Sequence, residues 1–139
     1  MELTVQDFLQ LSELEGVRLA GGANGTDRVI TRTNIIDNPD TLDWLISGEF
    51  LLSTGYIFQE NKQLQRSIIR DLAEINCAGL CIKTGRYLGT MPSCMMSEAD
   101  RLDFPLIELP FGYSLSTATS TINRRLFSSN DGQLEKTLA

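Results

Sequence analysis

Residues 33–56, TNIIDNPDTLDWLISGEFLLSTGY, decide how this chain folds. They read as a strand (Thr33 to Ile36), an Asp-Asn-Pro-Asp turn, one short helix carrying Trp44, and a second strand, Glu49 to Ser53, that closes on Thr54-Gly55. Ile35 and Ile36 are β-branched and stand beside the turn formers Asp37, Asn38 and Pro39. Asp40 or Thr41 offers a side-chain oxygen to cap the orphan N–H groups of the next helical turn. Gly48 ends that helix. Phe50-Leu51-Leu52 is too short for a helix and suits a strand buried on both faces. Two strand ends and a cap-rich turn are thereby brought together, which is how open α/β sheets build binding crevices.

Outward toward the C-terminus, Glu60 or Asn61 opens a helix in which Leu64, Ile68, Leu72 and Ile75 share one face and Arg66, Arg70, Asp71 and Glu74 mostly occupy the other. Asn76 suits a left-handed terminator. Ala78 to Lys83 is a near-continuous apolar run, the pattern of a parallel strand covered on both faces, and Thr84-Gly85-Arg86 turns the chain after it. Pro92 fits the first position of a further helix with Met95, Ala99 and Leu102 facing inward. Pro105 to Pro110 is a short strand whose flanking prolines predict a place near an edge or a sharp end. The last helix, Ser114 to Phe127, carries a stripe of Leu115, Ala118, Ile122 and Leu126. Weak helix formers (Ser116, Thr117, Thr119, Ser120, Thr121) separate them, so this helix needs packing from the sheet or a partner. Residues 128–139 lack periodicity and read as a linker or tail.

Outward toward the N-terminus, Thr4 caps a helix with Val5, Phe8, Leu9 and Leu11 on one face, and Gly16 breaks it. Val17 to Ala20 reads as a strand ending at Gly21-Gly22, Asn24-Gly25 as a turn, and Arg28 to Ile36 as one strand covered for part of its length. Strand–helix alternation predicts an α/β fold, with a mixed or mostly parallel sheet and helices on both faces. If the strands are parallel, the loops after Ile36, Ser53, Lys83 and Leu109 share one edge. One domain over residues 1–127 is expected, with 128–139 leading toward regions outside this chain.

Twelve Lys and Arg against eighteen Asp and Glu give a net charge of −6. An acidic domain without a basic block is a poor match for nucleic acid, because phosphate contacts supply most non-specific affinity. The absence of histidine removes the commonest general base and metal ligand together. Cys77, Cys81 and Cys94 lie in apolar settings without zinc spacing and read as inert thiols of a cytoplasmic protein. The N-terminus has acidic residues where a signal peptide has basic ones, and no apolar run reaches the ~18 residues of a membrane span.

Motifs are sparse. Gly21-Gly22-Ala23-Asn24-Gly25 precedes a strand rather than a helix, so it reads as a turn and not a phosphate loop. Asp37, Asp40, Asp43 and Glu49 lack the alternation and glycine of a calcium loop, and capping explains Asp37 and Asp40. Ser53, Thr54 and Ser114 have no base beside them. No metal, cofactor or catalytic group is expected. Trp44 reads as a core anchor. Lys83 and Arg86 flank a turn at the end of a buried strand, as solvated surface cations or as ligand contacts. With parallel strands, Asp37, Glu49, Thr54, Gly55, Lys83 and Arg86 become the candidate lining of one crevice, in which Arg86 can grip a planar anion.

The runs LTVQDFL, GTDRVITRTNIIDNPDTLDWLISGEFLLSTGY, CAGLCIKTGRYL and MPSCMMSEADRLDFPLIELPFGYSLSTATSTINRRL resemble the PucR-like N-terminal domain, the regulatory domain of the purine catabolism regulator family of bacterial transcription factors. The resemblance covers Leu3 to Leu126. Its most specific part is Pro39, Trp44, Gly48-Glu49, Leu51-Leu52 and Thr54-Gly55, supported by Gly79, Lys83, Gly85-Arg86, Ala99, Phe104-Pro105-Leu106 and Pro110. It implies an architecture similar to the N-terminal domain of HPr kinase, no catalytic residues, and DNA contact only through a C-terminal helix-turn-helix, of which this chain has no sign. It also implies a homodimer and a small nitrogenous metabolite, such as a purine breakdown product, as partners. Two functions stay open: a ligand sensor whose last helix relays the change, and a constitutive dimerisation module without a ligand. For the second, Leu115, Ala118, Ile122 and Leu126 are the candidate interface.

Overall fold

The computed structural model describes residues 2–138, the side chains of residues 129–138 excepted. The chain opens on β1 (Leu3–Thr4) and enters α1 (Val5–Leu9) through a reciprocal cap. The Asp7 N–H donates to Thr4 Oγ1 at 3.2 Å, and the Thr4 N–H donates to Asp7 Oδ2 at 3.0 Å. There follow β2 (Arg18–Gly21), β3 (Val29–Ile30), β4 (Arg32–Ile35), β5 (Glu49–Ser53), α2 (Lys62–Ile75), β6 (Gly79–Lys83), α3 (Ser93–Leu102), β7 (Leu106–Leu109) and α4 (Leu115–Leu138). Asn61 caps α2 by accepting the Leu64 N–H, and Asn76 closes it in the left-handed conformation.

The main sheet has five strands in the order β2-β7-β6-β5-β4. β4, β5, β6 and β7 are parallel, and β2 adds an antiparallel edge beside β7. The fold is therefore α/β with a mixed, mostly parallel sheet. Each step from β4 to β7 advances one position in the same direction. Right-handed crossovers then all land on one face, and the 39–44 segment, α2 and α3 share a single apolar layer with Leu51, Leu80, Ile82 and Leu106. The other face, Phe50, Leu52, Cys81 and Ile107, is closed by α1 and α4 from the two ends of the described chain. β5 is buried at every position, as expected of a strand in mid-sheet.

Several expectations are corrected. Arg28 to Ile36 is two strands, not one: β3 pairs with β1 in a separate two-stranded sheet, and at Thr31 the chain turns to donate its N–H to Gly48 O at 2.9 Å. Gly48 sits at φ +87°, where a Cβ would collide with the Thr31 side chain. The helix in the central stretch is a 3-10 segment, Pro39–Trp44, capped by Asn38 rather than by Asp40 or Thr41. Trp44 is no core anchor. It is 78% exposed, and Leu42 and Leu45 make that segment's inward contacts. Pro92 is the N-cap of α3, one position earlier than expected. The proline-bounded β7, by contrast, lies as expected near an edge, one strand in from β2. Pro105 and Pro110 lie just outside its ladder, so both sides of Leu106–Leu109 stay free to pair. Finally, α4 continues past Phe127 to Leu138, over residues expected to be a tail. Gln133, Leu134, Glu135 and Lys136 are good helix formers that extend its backbone ladder despite Gly132.

Candidate functional site

The carboxyl ends of β4, β5 and β6 stand side by side, so whatever follows each strand is delivered to one edge of the sheet. Asp37 follows β4, held by the Ile36 N–H donating to Leu52 O at 2.9 Å. Thr54 follows β5, and Lys83 is the last residue of β6. These three, with Tyr56, Arg86 and Tyr87, line an open cleft of about 390 Å³. Four of the six candidate lining residues thus come together: Asp37, Thr54, Lys83 and Arg86.

The other two do not line it. Gly55 stands behind the wall at φ +91°, where a Cβ would lie 3.1 Å from Lys83 O. Its lack of a side chain lets the β5 and β6 loops meet, which is a supporting role. Glu49 is at the opposite edge, because it begins β5 whereas every lining residue follows or ends a strand. It is fully buried there. Its Oε1 accepts Arg32 Nε–H at 2.6 Å, and its Oε2 accepts the Ile46 N–H at 3.1 Å.

Inside the cleft the polar contacts are few. Thr54 Oγ1 donates to Asp37 Oδ1 at 3.4 Å and accepts the Tyr56 N–H at 3.3 Å. Tyr56 and Tyr87 meet edge to face, with centroids 5.1 Å apart and planes at 81°. The Arg86 guanidinium lies 5.1 Å from the Tyr87 ring centroid, and Lys83 Nζ lies 5.1 Å from that of Phe111. Among the described residues, neither Lys83 nor Arg86 forms an ion pair. Tyr56, Tyr87 and Phe111 escape the sequence reading. The available signal is adjacency, since Tyr56 follows Thr54-Gly55 and Tyr87 follows Arg86.

No group of three or more Cys, Asp or Glu side chains among the described residues is arranged to hold a metal. Burial, and secondarily the negative charge of Glu49, pushes the Cys77 thiol up to about 12, and burial also raises Cys81. Both stay protonated at neutral pH and are poor nucleophiles. On α4, Ala118 and Ile122 are fully buried under the sheet, and Leu115 and Leu126 pack half-buried against the same layer. That stripe serves the domain's own core. The outward face of α4 offers Ser120, Asn123, Arg124, Phe127 and Ser128, around a shallow depression of about 590 Å³. No helix of the described residues is long and apolar enough to cross a membrane.

Residues 7–126 match the model of the PucR family, described as purine catabolism regulatory protein-like. The chain is similar to the purine catabolism regulatory protein of Bacillus subtilis (strain 168), with 35% identity over 108 residues, covering 78% of this chain and 20% of that protein. It is also similar to the transcriptional activator PmfR of Paenarthrobacter nicotinovorans, with 29% identity over 126 residues, covering 86% of this chain and 27% of that protein. The chain thus spans only the stated minor fraction of each relative's length.

Proposed function

The chain belongs to the purine catabolism regulatory protein-like (PucR) family, and from that premise we propose that it is the ligand-sensing, non-enzymatic regulatory domain of a cytoplasmic transcriptional regulator. The observation that carries this reading is the cleft itself. Asp37, Thr54, Lys83 and Arg86 converge from three loops at the carboxyl edge of a parallel sheet, beside two tyrosine rings. The ligand is a small nitrogenous metabolite, in keeping with relatives named for purine catabolism. DNA contact is left to regions outside this chain, because a net charge of −6 opposes phosphate binding.

A route for the signal is available. Phe111 lies against Lys83 and Gly85, and α4 starts at Leu115, with the Ser114 hydroxyl accepting the Thr117 N–H. A ligand that draws Lys83 away from the Phe111 ring would bias the turn that launches α4. The test is a thermal-melt screen of metabolites on the 139-residue chain, where a ligand at a hundredfold its Kd adds about 2.7 kcal/mol. The reading is wrong if no compound shifts the melt, or if hits ignore substitution of Lys83 and Arg86.

A homodimer is a second reading, and exposed aromatic surface favours it: Trp44 is 78% and Phe127 66% accessible. Twofold pairing is the commonest oligomer symmetry. Light scattering at high concentration should show a dimer that Phe127→Asp or Trp44→Asp weakens. A strict monomer at all concentrations removes this reading.

A further inference from the structure

Four backbone donors at the rim of the cleft are already engaged. The Gly55 N–H donates to Ser53 Oγ at 3.0 Å, the Tyr56 N–H to Thr54 Oγ1, the Thr84 N–H to Leu109 O at 3.3 Å and the Gly85 N–H to Leu88 O at 2.7 Å. A phosphate is normally cradled by a nest of such amides. With these four engaged, the charged donors that an anion meets in the cleft are the side chains of Lys83 and Arg86. Both cations face aromatic rings instead of carboxylates, in a protein whose net charge is −6. Two positive charges against the one of Asp37 leave the cleft with a surplus of one.

Shape adds a second constraint. The perpendicular rings of Tyr56 and Tyr87 form an aromatic corner in the cleft lining, which suits a planar ligand that can pack against it. A third constraint comes from Asp37. One carboxylate oxygen receives the Thr54 hydroxyl, and the other is an acceptor that calls for a donor from the ligand. A polyanion, or an anion without a donor, would be repelled there.

We infer that the cleft takes a planar heteroaromatic monoanion of one or two rings, with its acidic group between Lys83 and Arg86 and a ring N–H directed at Asp37. This rests on the sensor reading above and narrows it to a ligand class. Arg86 supplies paired donors to the delocalised anion, and Lys83 supplies a point charge. The Tyr56–Tyr87 corner supplies the aromatic surface, and Asp37 discriminates against acids that lack an N–H.

The experiment is titration calorimetry on the 139-residue chain with four probes. Orotate and urate are planar anions with ring N–H groups. Uracil keeps the plane and the N–H groups without the charge at neutral pH, and dihydroorotate keeps the charge with a puckered ring. Binding of orotate or urate is expected, with uracil and dihydroorotate at least about tenfold weaker. Arg86→Gln should weaken the anion about tenfold or more, the size of one charge-assisted hydrogen bond. Tyr87→Leu should erase the preference for the planar ring, and each variant should melt as the parent does. The inference is overturned if neither anion binds, if uracil or dihydroorotate binds as tightly, or if Arg86→Gln changes nothing. A broad set of neutral and cationic metabolites run alongside separates the two readings. A hit there that Tyr87→Leu weakens removes the ligand class and keeps the sensor, whereas silence across every compound removes both.

Discussion

Replacing Arg32 by alanine should destabilise the domain by about 2–4 kcal/mol, although Arg32 itself lies at the surface. The cause is its partner. The Glu49 side chain is completely buried, while that of Arg32 is 54% exposed. One Glu49 oxygen accepts Arg32 Nε–H at 2.6 Å and the other the Ile46 N–H at 3.1 Å. Losing one member of a buried pair costs about 3–5 kcal/mol, because a charge is left without compensation. Here the cost is lower, since the Ile46 N–H remains and water can enter where the guanidinium stood. Glu49→Gln removes the buried charge at nearly constant volume and still leaves an oxygen for Ile46, so it should cost only about 1–2 kcal/mol. In the Glu49→Gln background, Arg32→Ala should then cost less than about 1 kcal/mol, giving a coupling of at least about 1 kcal/mol across the pair. Urea unfolding followed by circular dichroism resolves this, because slopes of about 1–3 kcal/mol/M turn a 3 kcal/mol loss into a midpoint shift of about 1–3 M. If Arg32→Ala stays within about 0.5 kcal/mol of the parent in both backgrounds, the pair behaves as an ordinary surface ion pair and the reasoning fails.

Gly55→Ala forces a side chain onto a left-handed position 3.1 Å from Lys83 O. It should lower stability by about 1–3 kcal/mol, measurable as a reduced Tm by calorimetry. Ile122→Ala should cost about 2–5 kcal/mol because the residue is fully buried, whereas Trp44→Ala should stay within about 0.5 kcal/mol; equal effects in denaturant would contradict the assigned burial. Thr4→Ala, which removes half of the reciprocal cap on α1, should cost about 1 kcal/mol in the same assay. At pH 8 a thiol reagent read by mass spectrometry should label half-buried Cys94 first. The thiol of Cys77, at about 12, and that of Cys81, also raised, stay protonated there, so equal labelling would mean that the core opens.

Most of the architecture is legible in the residues because β5, α2 and β6 carry undiluted patterns. Phe50-Leu51-Leu52 and Leu80-Cys81-Ile82 admit no exposed face, and the α2 stripe is bounded by asparagine at both ends. The failures come where tertiary geometry overrides a local cue. Trp44 is large and apolar, yet a 3-10 segment of six residues cannot turn every apolar side chain inward, and Leu42 and the following Leu45 take those places. The break at Thr31 depends on Gly48, seventeen positions away, and nothing near Thr31 announces it. In the site, residues after strand ends are readable once the strands are taken as parallel. Glu49 falls at the opposite edge for the same reason, since it begins its strand. The tyrosines escape because aromatic residues in loops look like spare core until the loops are folded together.

The one-sided run of crossovers also bears on how the chain is made. β4 to β7 and the segments joining them are synthesised as a continuous block, and one face of their sheet is complete as soon as Leu109 has been added. The opposite face, with Phe50, Leu52, Cys81 and Ile107, must wait for Ala118, Ile122 and Leu126 of α4. Until those last residues emerge from the ribosome, the nascent domain presents a half-covered apolar surface under α1 alone, a state open to chaperone capture or to wrong pairing. A stop codon placed before Ala118 would therefore yield a sticky, nearly complete sheet instead of a slightly shorter soluble domain.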